Sequence, residues 1–398
     1  MVPNGWKTLS LGEITKEKIS YGIVQAGPHV ENGVPYIKSS NVGGEIRIED
    51  LQRTSSEIHH KYRRSAVHPN DIVFSLRGNI GRTSIVPPEL LEANLTQGTA
   101  RISVNTKNET NFVYYSLAST PILNRINSLS KGSTFKEISL EELRKVKLPI
   151  PPLPEQQKIA KILSTWDKAI STTERLIENS TQQKKALMQQ LLTGKKRLFN
   201  ESGKRFEGEW KEVKLLEVAQ ITMGSSPKSE AYNEVGEGLP LLQGNADIKS
   251  RKSVPRIYTS QITKECHVDD ILFSVRAPVG TVSISNHHAC IGRGIAAIKA
   301  KKNHSQDYLY QLLLSFETKW ERYSQGSTFE AVNSNDIKSL NLSVPSYEEQ
   351  QKIATVLTNA DKEIELLEQQ LADLQQEKKA LMQVLLTGKV RVVVDGEV

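Results

Sequence analysis

The sequence predicts an α+β protein: two globular domains separated by two long antiparallel coiled-coil helices, with pseudo-two-fold symmetry. Three observations predict it. The 398-residue chain repeats itself at an offset of 194: Lys184–Lys195 reads KKALMQQLLTGK and Lys378–Lys389 reads KKALMQVLLTGK. The stretch leading into each copy carries apolar residues spaced 4-3-4-3. The longer, more variable part before each stretch shows short strand signals broken by turns.

The repeat covers nearly the whole chain. Glu155–Lys195 aligns without a gap to Glu349–Lys389, with 23 of 41 positions identical. Ser130–Ile138 (SKGSTFKEI) meets Ser324–Val332 (SQGSTFEAV) at the same offset. Further upstream the match needs gaps: Asp71–Arg77 (DIVFSLR) meets Asp270–Arg276 (DILFSVR), Val34–Asn41 faces Leu239–Asn245, and Trp6-Lys7 faces Trp210-Lys211. A period this long is too great for a solenoid and marks duplication of a domain plus its tail. The predicted boundaries are 1–152 and 195–346 for the globular domains, 153–194 and 347–389 for the helical regions, and 390–398 for a C-terminal tail.

Each tail has the signals of one helix. Pro154 suits a first helical turn, Ser346-Tyr-Glu-Glu349 has the pattern of a capping box, and Gly194 and Gly388 stand where a left-handed cap belongs. The first seam runs through Ile159, Leu163, Trp166, Ile170, Thr173, Ile177, Ser180, Lys184, Leu187 and Leu191. The second runs through Ile353, Leu357, Ala360, Ile364, Leu367, Leu371, Leu374, Lys378, Leu381 and Leu385. A period of 3.5 over more than four heptads points to a coiled coil, and each helix should be on the order of 55–60 Å long. Pairing with another protein is the alternative to mutual pairing. The first helix ends where the second domain begins, so a second helix packed along it must run antiparallel.

Strands are expected at Val34–Ile37, Ile72–Leu76, Thr83–Val86 and Ala100–Val104, and at Leu239–Leu242, Ile271–Val275, Thr281–Ile284 and Ile295–Ile298. Helices are expected near Phe112–Ser119 and Tyr308–Ser315. The loops beside these strands hold the candidate binding residues. Ser39, Ser40 and Asn41, with Gln97, in the first domain and Gln243 and Asn245 in the second offer short donors and acceptors. Asn and Gln suit adenine edges, and Arg77, Arg276 and Arg293 suit guanine or phosphate. Ser133 and Thr134, flanked by Lys131 and Lys136, and Ser327 and Thr328 carry hydroxyls and amides suited to phosphates. Two plainer readings stay open. The GSTF loops are also compatible with ordinary turns whose Phe135 and Phe329 enter the core, and Arg77 and Arg276 with structural ion pairs.

Composition narrows the classes. Hydrophobic residues make up 37% and charged residues 24%, so the chain is globular, and the net charge of +7 favours an anionic partner. Two cysteines, Cys266 and Cys290, make no disulfide framework and suit a reducing cytoplasm. The N-terminal sequence lacks a signal-peptide pattern, and no apolar run is long enough to span a membrane. No ATP-binding GxxxxGK[ST] loop, no Asn/Asp-Pro-Pro-Tyr/Phe methyltransferase motif and no nuclease-like carboxylate cluster with a lysine is found. Cys266-His267 and His287-His288-Ala-Cys290 offer zinc ligands in principle, but at no familiar finger spacing, and no metal site is expected.

The alternation of variable domains with near-identical helical segments closely resembles the specificity subunit of type I restriction–modification systems. Pro149–Leu163 (PIPPLPEQQKIAKIL), Val344–Leu357 (VPSYEEQQKIATVL), the paired GSTF loops and the paired KKALM–LLTGK endings carry the resemblance, which covers essentially the whole chain. It implies two target recognition domains, each reading one half of a bipartite, asymmetric site in double-stranded DNA. It implies helices that act as a ruler and dock two modification subunits, which use S-adenosylmethionine to methylate adenine at N6, with Lys184 and Lys378 in register or docking. It also implies restriction subunits that use ATP and magnesium, and no catalysis or cofactor in this chain. The family's short length-changing repeats are not evident. A coiled-coil scaffold joining two protein-binding domains and a nuclease are the competing classes. If the helices are a ruler, deleting one heptad from both shifts the preferred gap between half-sites, as read from the positions of methylated adenines. An unchanged gap contradicts the ruler.

Overall fold

The computed structural model describes residues 3–132, 136–326 and 332–394, with side chains described for all of these except 321–326. The chain forms two compact units, residues 1–174 with 369–398 and residues 175–368. Each unit therefore takes one part of each long helix, Leu153–Leu191 and Tyr347–Leu385.

In the first unit, strand Ile72–Ser75 lies between Thr83–Ile85 and Thr99–Ile102, all antiparallel, with Ser20–Tyr21 at the outer edge. Its four residues are all buried. Ile72 and Phe74 enter the core formed with helix Thr110–Ala118 and the long helices, whereas Val73 enters a second cluster with Ile37, Val67 and Leu95. Both faces are covered, so the strand reads as an unbroken apolar run rather than an alternation. A second sheet pairs Val34–Ile37 with Gln52–Thr54 (antiparallel) and Asn94–Leu95 (parallel). Strands Lys7–Ser10 and Lys147–Ile150 pair at the entry to the first long helix.

The second unit repeats this plan on its own residues. Ile271–Ser274 lies between Val282–Ile284 and Ile295–Ala300, and Leu272 faces a small cluster that includes Cys266, while Ile271 and Phe273 face the main core. Leu239–Leu242 runs parallel to Ala289–Ile291, and Lys211–Lys214 pairs with Asn341–Val344. The expected strands are thus present within one or two residues. The sheets are larger here, with six and five strands.

Antiparallel packing of the long helices is visible inside each unit. In the first, Trp166 Nε1 donates to Glu377 Oε2 at 3.3 Å and Lys378 Nζ to Asp167 Oδ1 at 2.5 Å. In the second, Ser180 Oγ donates to Glu363 at 3.3 Å and Lys184 to Asp361. Every predicted seam position is buried or half-buried, while most positions between them are exposed. Ile159, Leu163 and Leu385 are fully buried because they also meet the first core, and Leu191, Ile353 and Leu357 because they meet the second. Each seam lysine is held from the globular side as well. Asp167 accepts the Tyr115 hydroxyl at 2.6 Å, and Asp361 accepts the Gln311 amide at 2.6 Å. Burial, helped by that bond to Asp167, pushes the Tyr115 hydroxyl pKa well up, so it remains a donor. Each lysine is half-buried at a seam position and reaches an aspartate at the seam's rim, so the pair favours one register of the helices.

The Glu-Gln pair near the start of each long helix is explained by its contacts. Gln156 accepts from Glu109 N–H and donates to the Pro151 carbonyl, both at 2.9 Å; Gln350 does the same with Ser305 and Pro345, each at 3.0 Å. The glutamate goes elsewhere. Buried Glu349 receives Nε and Nη2 of Arg197, both at 2.7 Å, and buried Glu155 receives Arg391 at 2.6 and 2.8 Å. The capping box expected at Ser346 is therefore only half made. Ser346 Oγ accepts the Glu349 N–H at 3.4 Å, but the carboxylate turns to Arg197. The arginines arrive through the repeated LLTGK. Gly194 and Gly388 both have φ +69°, and an added Cβ would stand 3.3 Å from the Trp210 or Trp6 indole. The bend that sends each Arg back therefore needs glycine.

Removing one partner of a buried ion pair strands the other. Arg197→Ala should destabilise the chain by about 3 kcal/mol. Arg391→Ala should cost less, because Glu155 keeps the Trp6 Nε1–H bond of 3.1 Å. Denaturant titration of both variants tests the order, and a larger loss for Arg391→Ala contradicts it.

Candidate nucleic-acid interface

The same loops converge at the end of the central strand in both units. In the first, Leu76 N–H donates to the Gly98 carbonyl at 2.8 Å and Ile138 N–H to the Leu76 carbonyl at 3.2 Å. The Ser39 hydroxyl also donates to Gly98 O, at 3.0 Å. In the second, Val275 N–H donates to the Gly294 carbonyl at 3.0 Å and Val332 N–H to Val275 O at 2.9 Å. The residue before each arginine is thus clamped between two loops. The serine two before it closes the turn: Ser75 Oγ donates to Arg77 O at 3.1 Å and Ser274 Oγ to Arg276 O at 2.8 Å. That serine stands in both copies of the aligned F-S-x-R, a signal present in the sequence but not read there.

The side chains then differ. Arg77 Nε pairs with Glu137 Oε1 at 2.8 Å, and both are near half exposed, so the ion-pair reading holds for Arg77. Glu137 also exchanges backbone hydrogen bonds of 2.9 Å with Lys131, which closes a loop bearing exposed Lys131 and Lys136. Arg276 is exposed and meets no carboxylate among the described residues. Exposed Arg293 is steadied by Ser226, whose Oγ accepts its N–H at 3.1 Å and its Nε–H at 3.4 Å.

Several candidates have part of their hydrogen-bonding capacity engaged within their own loops. Asn41 Oδ1 caps Lys38 N–H at 3.0 Å, leaving its amide donor. The Asn245 amide is held by Ser274 Oγ and Pro278 O, both at 3.0 Å, leaving its carbonyl. Gln243 is fixed through its backbone N–H, which Asp247 accepts at 2.7 Å, and Gln97 through its N–H to Ile23 O at 2.9 Å. Ser40 is exposed. Ser133, Thr134, Phe135, Ser327, Thr328 and Phe329 lie outside the described residues.

Of the zinc ligands considered from sequence, Cys266, Cys290 and His287 are engaged elsewhere. Cys266 and Cys290 are buried, and burial pushes the Cys266 thiol up to about 11, while the His287 ring faces Ser253 Oγ at 2.7 Å.

Residues 3–180 and 207–376 both match the model of the type I restriction modification DNA specificity domain. The chain belongs to that family. The two matches fall one in each repeat, ending before the KKALM–LLTGK segments. A protein of Methanocaldococcus jannaschii named "Putative type I restriction enzyme MjaX specificity subunit" is 34% identical over 98% of this chain and 95% of its own length. The MjaVIII specificity subunit of the same organism is 26% identical over 98% and 94%. Among solved structures, the S subunit from M. genitalium shares the fold at TM-score 0.65 and 16% identity, covering 97% of both chains. The HsdS subunit from Thermoanaerobacter tengcongensis aligns at TM-score 0.50 and 25% identity over 98% of both.

The two clamps differ in tolerance. A Cβ on Gly294 would stand 2.2 Å from the Gln243 backbone carbonyl, whereas one on Gly98 would stand 2.7 Å from the rotatable Ser39 hydroxyl. Gly294→Ala should therefore destabilise by about 1–3 kcal/mol and Gly98→Ala by less. Thermal melts compare them, and equal or reversed losses contradict this account of the loops.

Proposed function

We propose that the two units each read one half of a bipartite, asymmetric site in double-stranded DNA, as the specificity subunit of a type I restriction–modification complex. The observation that carries this is the recurrence of one loop arrangement in both units with different side chains on it: Arg77 with Glu137 in one, Arg276 and Arg293 in the other. A shared frame with unlike surfaces gives unlike half-sites. Arginine projected from a clamped turn suits guanine O6 and N7, and the remaining Asn and Gln groups suit adenine. The exposed lysines of the first unit suit phosphate and position the duplex.

The chain itself is non-catalytic in this reading. The long helices dock two modification subunits, N6-adenine methyltransferases that bring S-adenosylmethionine. Restriction subunits bring ATP and magnesium. The complex acts in the cytoplasm on intracellular DNA; consistent with this, no described helix is long and apolar enough to cross a membrane.

Co-expression with a modification subunit, followed by single-molecule mapping of N6-methyladenine, tests the reading. The expected motif has two unlike half-sites around a fixed gap, with one methylated adenine on each strand. Arg276→Ala should relax one half-site by roughly 1–3 kcal/mol, or about 5–150-fold in affinity, and leave the other unchanged. Arg77→Ala should act on the other half, and more weakly, because Glu137 already holds that guanidinium. A uniform loss over all sequences, with a shallower salt dependence, assigns the residue to phosphate instead. No DNA affinity at low salt supports a scaffold and contradicts the proposal.

A further inference from the structure

We propose that Glu265, His267 and His288 form a binding site for a divalent transition-metal ion of the zinc class, on the second unit. Their ligand atoms all lie within 4.8 Å of one another. The sheet produces the convergence. Strand Glu265–Cys266 lies at the edge and pairs antiparallel with Ala289–Ile291, with Cys266 opposite Ala289. His267 and His288 follow as the next facing pair, and Glu265 shares the face of His267 because side chains alternate along a strand. Directly opposed residues have Cβ atoms about 5 Å apart, which suits two imidazoles sharing one ion. The rings are already stacked, 4.8 Å between centroids and 12° from parallel. His288 Nε2 and Glu265 Oε2 are 2.6 Å apart, so both point to one place.

Asp270 adds a further observation. Its Oδ2 accepts the backbone N–H of His267 at 2.8 Å and lies 3.8 Å from the ring Nδ1, so it anchors the backbone of that residue beside the site. Ligands around one zinc ion stand roughly 3.3 Å apart, given bonds of about 2.0–2.1 Å, so the His288–Glu265 pair opens slightly and the longer separations close. All three are exposed and have room to do so. Two imidazoles and a carboxylate leave a fourth position for water. Cys266 faces the core on the other side of the strand and takes no part.

The first unit lacks the site, for a readable reason. At its corresponding bridge, Val67 opposite Ala93, His68 faces Glu92 at 3.5 Å, and Ala66 stands where the second unit has Glu265. Bound metal ties the edge strand to Ala289–Ile291, the strand that runs into the Gly292–Gly294 loop bearing Arg293.

The test uses the tag-free full-length chain, with zinc followed by calorimetry and cobalt(II) by its visible absorption. One equivalent should bind, and saturating zinc should raise the melting temperature. His267→Ala and His288→Ala should each weaken binding at least tenfold and abolish the melting shift, and Glu265→Gln should weaken it less. These side chains are exposed, so the variants should retain the parent's circular dichroism. His68→Ala should bind as the parent does. Failure of the parent to bind zinc more tightly than the His267→Ala/His288→Ala double variant overturns the proposal, as does an equal loss in His68→Ala.

Discussion

A buried glutamate held in the fork of an arginine closes each unit, and most of the architecture follows from it. Glu155 and Glu349 open the two long helices, and Arg391 and Arg197 follow the ends of the opposite ones. Two parallel N–H···O bonds fix both distance and orientation, which a lysine could not do. Burial of the carboxylate makes the pair costly to break: without Arg197 the Glu349 charge is stranded, and without Arg391 Glu155 keeps only the Trp6 bond. The paired seam residues Asp167–Lys378 and Asp361–Lys184 extend the same logic along the helices. This explains why the KKALM–LLTGK ending occurs twice. Each copy supplies a seam lysine, a left-handed glycine and, three residues on, the arginine.

The constant and variable parts of the chain divide the work. The clamp around each central strand uses backbone groups, Ser75 or Ser274, and close approach at Gly98 or Gly294, so it places no demand on the exposed side chains. Those side chains are free to differ, and they do: a neutralised arginine beside two lysines on one unit, two arginines on the other. Membership of the DNA specificity family gives that division a purpose, since a frame that tolerates new surface residues can be turned to new sequences.

The sequence carried the periodic features well. The 3.5-residue seam, the strands such as Val34–Ile37 and Ile72–Ser75, and the glycine caps rest on local patterns that burial enforces. It did not carry the pairings between distant segments. Arg77 and Glu137 are 60 residues apart, and nothing local to either announces the other. Nor can the sequence show which donors and acceptors a turn engages: the Asn41 carbonyl and the Asn245 amide are taken, which leaves the other half of each. Glu265, His267 and His288 come together only through a cross-strand register, which a one-residue slip would destroy. The fork itself left a trace: the arginine three residues beyond each Gly, at Arg197 and Arg391, repeats at the same offset as the rest of the tail.

The most direct measurement is a double-mutant cycle on Arg197 and Glu349. Native-state hydrogen exchange of amides in the buried Ile353–Leu357 turn of the second helix reports the opening free energy of the second unit. If the fork closes the unit, Arg197→Ala and Glu349→Ala are each strongly destabilising and the double variant is little worse than either. The coupling energy should be roughly 2 kcal/mol, within the range seen for contacting residues. Losses that add to within about 0.5 kcal/mol would show two independent contributions and contradict the fork as the closing interaction.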